Sequence, residues 1–233
     1  MTPTEATVIV TGGTGGLGSA VVERLLAGGW RVVVPWIAAK ELERLSPREG
    51  LELVEGDMSD HQSVAEVVSR AAASPPAALR GVVNLVGGFA AGGRVHETPL
   101  EQFEAQFRLN LRPTYLVTKA ALPRLLEHHG GSIVCVGSRA AVQPFAGAAG
   151  YIASKAAVIA FAQAVSAEYL GDGVRCNAIL PSVIDTPGNR ASMPTADHDR
   201  WVKPAAIAEV IAYLLSSASE PLSGAAVPVY GRA

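Results

Sequence analysis

The chain has 233 residues, 49% of them apolar and 17% charged, with a net charge of −2. A chain this long and this apolar buries a sizeable core, which excludes intrinsic disorder. Its near-neutral charge leaves no footprint for nucleic acid or an anionic membrane surface, so neither is expected as a partner. Two cysteines cannot build a disulfide framework. No C-x-x-C or paired-histidine spacing points to zinc, and His128 and His129 lack a third ligand nearby in sequence, so no metal is expected. The apolar stretches at 32–39 and 156–162 fall short of the roughly 20 residues that span a bilayer. Residues 1–7 are polar or small and run straight into an apolar stretch, so no leader is expected. These features point to one domain, 1–233, in a reducing and cytoplasmic setting.

Short, β-branched apolar runs predict strands at 7–11, 31–35, 51–55, 81–86, 132–136, 174–180 and 226–230. They are continuously apolar rather than alternating, which marks strands covered on both faces. Helical periodicity falls between them. The stretch 17–27 places Val21, Val22, Leu25 and Leu26 on one face and ends at Gly28-Gly29. Residues 60–73 open on Asp60 as a cap and line up Val64, Val67 and Val68. The stretch 100–127 is long enough for two helices or one kinked at Pro113. Helices are also predicted at 150–170, which is small and apolar nearly all round, and at 204–217, with Pro204 in its first turn. Strands alternating with helices predict a doubly wound α/β fold of the Rossmann type: three layers around a parallel sheet of about seven strands. The long irregular stretch 185–203 reads as a lid over a substrate.

Thr11-Gly12-Gly13-Thr14-Gly15-Gly16-Leu17-Gly18 follows the first strand and opens the first helix. Glycines there let the backbone approach a pyrophosphate, and the helix N-terminus offers free N–H groups and positive dipole. Further along, Tyr151-Ile152-Ala153-Ser154-Lys155 sets a phenol and an ammonium one helical turn apart. An ammonium beside the phenol favours its ionised form, and a free phenol titrates near 10, too high for proton transfer at neutral pH without help. Ser138 lies just past a strand end, where ligand sites open in such sheets.

With Gly56-Asp57-Met58, Asn84-Leu85-Val86-Gly87, Asn110, Ser138 and the stretch 177–187, these motifs stand in the order found in the short-chain dehydrogenase/reductase family, which the whole chain resembles. The resemblance implies an NAD(P)-dependent oxidoreductase moving a hydride between the nicotinamide and a carbonyl or alcohol substrate. Tyr151 would be the general acid or base. Lys155 would hold the nicotinamide ribose and lower the Tyr151 pKa, Ser138 would orient substrate, and Asn110 would anchor a water linking Lys155 to solvent. Thr11, Gly12, Thr14, Gly16, Leu17 and Gly18 would hold the pyrophosphate. Trp36 would stand beside the adenosine half, Asp57 and Met58 would face the adenine, and Asn84 and Gly87 would line the cleft. Pro181, Ile184 and Thr186 would meet the nicotinamide half, while Phe89 and Phe145 would line the substrate pocket. The resemblance also implies a homodimer or homotetramer paired through the helices at 111–127 and 150–170.

The loops at 87–93 and 180–194, with Trp201 after them, are similar to those of the dihydropteridine reductases, a branch of the same family. Ser138 and Asn110 match the wider family instead. A dihydropteridine or quinone reductase therefore stays open, as does a catalytically silent cofactor sensor. An NAD site needs a carboxylate at the end of the second strand and an NADP site needs a cation nearby. Trp36 stands at the first position, neither Gly15 nor Ile37 supplies the second, and Lys40 follows one turn later. This predicts loose discrimination, with NADP(H) slightly ahead and NAD(H) within about tenfold.

Overall fold

A computed structural model describes residues 6–73 and 77–232. The leader expectation, which rests mainly on residues 1–5, falls outside them. Strands β1 (Ala6–Thr11), β2 (Arg31–Trp36), β3 (Leu51–Glu55), β4 (Ala78–Asn84), β5 (Gly131–Val136), β6 (Val174–Pro181) and β7 (Ala226–Val229) form one parallel sheet in the order β3-β2-β1-β4-β5-β6-β7. Successive residues of a strand face opposite sides. Val8 and Val10 of β1 therefore pack with Val134 and Ile179 against α1 (Gly18–Ala27) and α7 (Pro204–Leu215). Ile9 faces the other way, with Val33, Val82 and Ile133, toward α2 (His61–Ala72), α4 (Arg112–Glu127) and α5 (Ala149–Tyr169). Helix α3 (Leu100–Asn110) packs on α4 and α5. The strand order reverses between β1 and β4, and a crevice opens there beyond the strand ends.

Both ends of β4 differ from the sequence pattern for physical reasons. Strand β4 begins at Ala78 instead of residue 81 because Ala78 and Leu79 already pair with Ala6 and Thr7; Arg80, which interrupts the apolar run, is passed over at a register shift and its guanidinium donates to the His128 carbonyl. It ends at Asn84 instead of 86 because β1 stops at Thr11, whose hydroxyl accepts from the Leu85 amide at 3.1 Å. The stretch 100–127 forms two helices that meet at Leu111. Pro113 lies in the first turn of α4, where its missing N–H costs nothing. As predicted, Asp60 caps α2 by accepting from the Ser63 amide at 2.7 Å.

Helix α5 with its terminal turn is long and apolar enough to cross a membrane by composition. Here one side of it is buried against β5 and β6, which explains the apolar character. The sequence pattern left residues 37–50 without an element. The structure places a 3-10 helix there, Ala39–Arg44, folded back toward the glycine turn.

Candidate active site

The turn between β1 and α1 shows why its glycines are needed. Gly12 has φ +65°, and a Cβ on it would stand 3.1 Å from the Val86 amide nitrogen. A Cβ on Gly18 would stand 2.0 Å from the Gly12 carbonyl oxygen. The turn closes on itself through the Gly15 amide donating to the Gly12 carbonyl at 3.0 Å. Helix α1 carries no acidic residue in its first turn, so its unpaired N–H groups and positive dipole end stay open to an anion. Thr186 stands across the turn, with its methyl carbon 3.0 Å from where a Gly16 Cβ would be. Side chains at these glycines would fill the space beside the helix N-terminus. The cradle therefore fits a dinucleotide pyrophosphate.

Beyond β5, the chain brings Ser138, Tyr151 and Lys155 together at the open end of the crevice. The Ser138 hydroxyl accepts from the Ala140 amide at 3.1 Å and stands beside the Tyr151 phenol. Burial raises the phenol above its ordinary pKa, and the Ser138 hydroxyl offsets part of that rise. Lys155 is buried, and its Nζ donates to the Val136 carbonyl at 2.8 Å. Burial lowers its pKa to about 8. The expectation that Lys155 lowers the phenol pKa is thus not met in this structure: the ammonium is spent on a backbone carbonyl, and desolvation dominates at the phenol.

Phe89 meets the Tyr151 ring edge-on, with centroids 4.9 Å apart, and Phe145 lies 6.3 Å from Phe89. Of the predicted substrate-lining aromatics, Phe89 therefore lies against the Tyr151 ring and Phe145 lies next to Phe89, and both are at least half exposed. Asn110, at the end of α3, donates from Nδ2 to the Ser154 hydroxyl at 3.0 Å and accepts at Oδ1 from the Gly88 amide at 2.9 Å. Its own carbonyl accepts from the Thr114 hydroxyl at 3.1 Å. Asn110 thus ties the loop after β4 to the helix that carries Tyr151 and Lys155. A Cβ on Gly87 would stand 2.6 Å from Asn110 Oδ1 and 3.1 Å from Lys155 Nζ, so only glycine fits there.

The remaining predicted residues divide by where their side chains go. Trp36 ends β2 and is half-buried. Asp57 is exposed and accepts from the Ser59 amide at 2.7 Å. The Met58 side chain is buried in the core with Val64 and Val67. Asn84 is buried and donates from Nδ2 to the Thr118 hydroxyl at 3.1 Å, which joins β4 to α4. Leu17 packs against the core at the start of α1, and Pro181 ends β6. Ile184 bridges to Val202, and the Thr186 hydroxyl caps the helix α6 (Pro187–Ser192) through the Asn189 amide at 3.3 Å. Cys135 and Cys176 are buried free thiols on the neighbouring strands β5 and β6. Among the described residues, no three His, Cys, Asp or Glu side chains converge as a metal site.

Sequence reasoning missed two residues at the turn. The Thr14 hydroxyl donates to Glu41 Oε2 at 2.8 Å, and Arg44 donates to the Thr14 carbonyl at 3.0 Å. Both partners come from the 3-10 helix after β2, 27 and 30 residues away in sequence. It also missed Ser154, which receives Asn110 and donates to the Tyr151 carbonyl at 2.8 Å. The Tyr-x-x-x-Lys spacing holds Ser154 within it, but nothing in that spacing reveals its partner on α3.

The family described as short chain dehydrogenase matches residues 6–197. A 2-(R)-hydroxypropyl-CoM dehydrogenase of Xanthobacter autotrophicus is 34% identical over 187 residues, spanning 77% of this chain and 74% of that protein. A short-chain type dehydrogenase/reductase from Mycobacterium ulcerans superposes with a TM-score of 0.91 at 26% identity, over 100% of this chain and 90% of that one. A 3-ketoacyl-(acyl-carrier-protein) reductase from Brucella melitensis, complexed with NADH, superposes with a TM-score of 0.85 at 26% identity, over 97% of this chain and 98% of that one. The family match runs from the first strand past α5 into the stretch after β6, and the chain belongs to the short-chain dehydrogenase family.

Proposed function

We propose that this chain is an NAD(P)-dependent oxidoreductase that interconverts a carbonyl and an alcohol on a small-molecule substrate, with Tyr151 as the proton carrier. The observation that carries the reading is the meeting of the Tyr151 phenol, the Ser138 hydroxyl and the buried Lys155 beside a glycine cradle open to a dinucleotide. NAD(P)(H), when bound, supplies or takes the hydride. Gly12, Gly16, Leu17 and Gly18 hold the pyrophosphate at the α1 N-terminus, and Pro181, Ile184 and Thr186 hold the nicotinamide half. Lys155 grips the ribose. Ser138 donates to the substrate oxygen, and Tyr151 gives that oxygen a proton in the reducing direction and takes it back in the oxidising one. Burial keeps the phenol protonated, and a cation drawn toward it on ligand binding would lower its pKa toward the range that proton transfer in either direction needs. Phe89 and Phe145 form the apolar wall against the substrate.

The Brucella reductase has NADH in its complex, which supports a nicotinamide dinucleotide here. The lean toward NADP(H) rests on the absence of an acid at Trp36. A catalytically silent sensor needs no proton-carrying geometry, and the complete Ser138, Tyr151 and Lys155 set argues against one. The two buried free cysteines suit a reducing, cytoplasmic setting. The test is cofactor oxidation against a panel of ketones, quinones and dihydropterins, repeated with Tyr151→Phe. Turnover on a ketone that falls about 10²–10⁴-fold in the Phe variant, with cofactor binding kept, supports the reading. Undiminished turnover in that variant overturns the role of Tyr151.

A further inference from the structure

The end of β2 leaves a physical problem. A dinucleotide of this geometry carries either a 2′-hydroxyl or a 2′-phosphate on its adenosine ribose, and the ribose lies between the glycine turn and the end of the second strand. Selection normally needs a carboxylate for the hydroxyl or a cation for the phosphate. Trp36 offers neither, and Gly15 has no side chain.

The 3-10 helix Ala39–Arg44 brings both charges back to that place. Glu41 is half-buried and fixed by the Thr14 hydroxyl on one carboxylate oxygen, at 2.8 Å, which leaves the other free to accept. Arg44 is anchored on the Thr14 carbonyl by one terminal nitrogen, at 3.0 Å, which leaves the rest of its fork free to donate. One turn residue thus holds both an acid and a base, one by its side chain and one by its backbone. The two charges are not spent on each other, since no ion pair joins Glu41 to Arg44 among the described residues.

We propose that Glu41 and Arg44, held on Thr14, are the opposed cofactor-selecting residues of this chain: Glu41 accepts a ribose 2′-hydroxyl and repels a 2′-phosphate, and Arg44 attracts that phosphate. This rests on the nicotinamide dinucleotide reading above and goes beyond it by naming the selecting groups. Such an opposition would leave discrimination between the two cofactors loose, as the residues at the end of the second strand predict. The free carboxylate oxygen matches a hydroxyl donor, and the guanidinium fork matches a phosphate.

Equilibrium titration of NAD+ and of NADP+ into the purified protein, followed by Trp fluorescence or calorimetry, tests the pair without any turnover. Glu41→Gln keeps an oxygen for the Thr14 hydroxyl and removes only the charge. It shifts the ratio of the two dissociation constants toward NADP+ by about tenfold. Arg44→Met shifts the ratio the other way by about tenfold. Any general loosening of the turn weakens both ligands and cancels in the ratio. A ratio that stays within about twofold of wild type in either variant overturns the inference. A wild-type protein that binds neither dinucleotide overturns the function reading instead, so the two failures are distinguishable.

Discussion

Lys155 is buried and yet kept largely charged near neutral pH, which opposes stability to function at one residue. Its pKa falls from 10.5 to about 8 on burial. Between those values the folded chain binds fewer protons at this site than the unfolded one, so stability rises with pH across that window. Below about 8 the full cost of the buried charge is present, about 3 kcal/mol at 1.36 kcal/mol per pKa unit. Lys155→Met removes that cost but leaves the Val136 carbonyl without its donor, a loss of about 1 kcal/mol. The variant should therefore melt roughly 5 °C higher at pH 7 while losing turnover. Its advantage should shrink as pH rises from 8 and reverse before 10.5, because the charge cost fades while the lost hydrogen bond remains. Thermal melts across that range check it, and a variant that melts lower at pH 7 contradicts it. The spacing of Tyr151 and Lys155 was legible in the sequence because both lie on one helix. The charge balance was not, because it depends on the Val136 carbonyl, which the fold brings from a different strand.

At the scale of elements, what the sequence revealed was what periodicity can carry. Each of the seven strands was visible from its apolar run, and the α2 cap from Asp60. Contacts across the turn were invisible. Residues 37–50 have no apolar period, so the 3-10 helix carrying Glu41 and Arg44 left no trace, and neither did the link from Asn110 to Ser154. The stretch after β6 is similarly mixed. The sequence reads 185–203 as a polar, proline-punctuated lid, and its far end is anchored: Trp201 and Val202 are buried, and the Asp185 amide donates to the Val202 carbonyl at 2.9 Å. Between those ties, residues 187–200 are mostly exposed around the short helix α6, and the Arg190–Asp185 pair is their ion pair. With the Arg190 side chain half exposed, the pair adds little. A segment with two fixed ends and few core contacts opens cheaply, as a lid must. Hydrogen exchange in 187–200 should slow when cofactor and substrate are added, while Trp201 and Val202 stay protected throughout. Equal exchange in 187–200 with and without ligands counts against a lid.

For the whole molecule, the face built by α4 and α5 lacks a partner among the described residues. Tyr115 is 45% exposed and Leu126 is 36% exposed, and both line a groove of about 310 Å³ with Leu122, Phe161 and Tyr169. Tyr115 meets the Phe161 ring edge-on at 5.9 Å across the two helices. Next to this groove, Ala160 and Ala164 of α5 are exposed, and small residues let a second helix approach closely. Helix α5 is apolar on the side facing the sheet and on the side facing out, and a helix apolar all round is buried against something. An apolar patch of helices and aromatic rings on a lone chain marks an interaction surface. Because the same patch on a second copy is self-complementary about a two-fold axis, the expected assembly is a homodimer, or a homotetramer if a second face also pairs. Light scattering at micromolar concentration should report a multiple of 24.1 kDa. Phe161→Glu places a charge in the centre of the face and should yield the monomer, folded by circular dichroism. A wild-type chain that scatters as 24.1 kDa would leave this face without the partner its composition calls for.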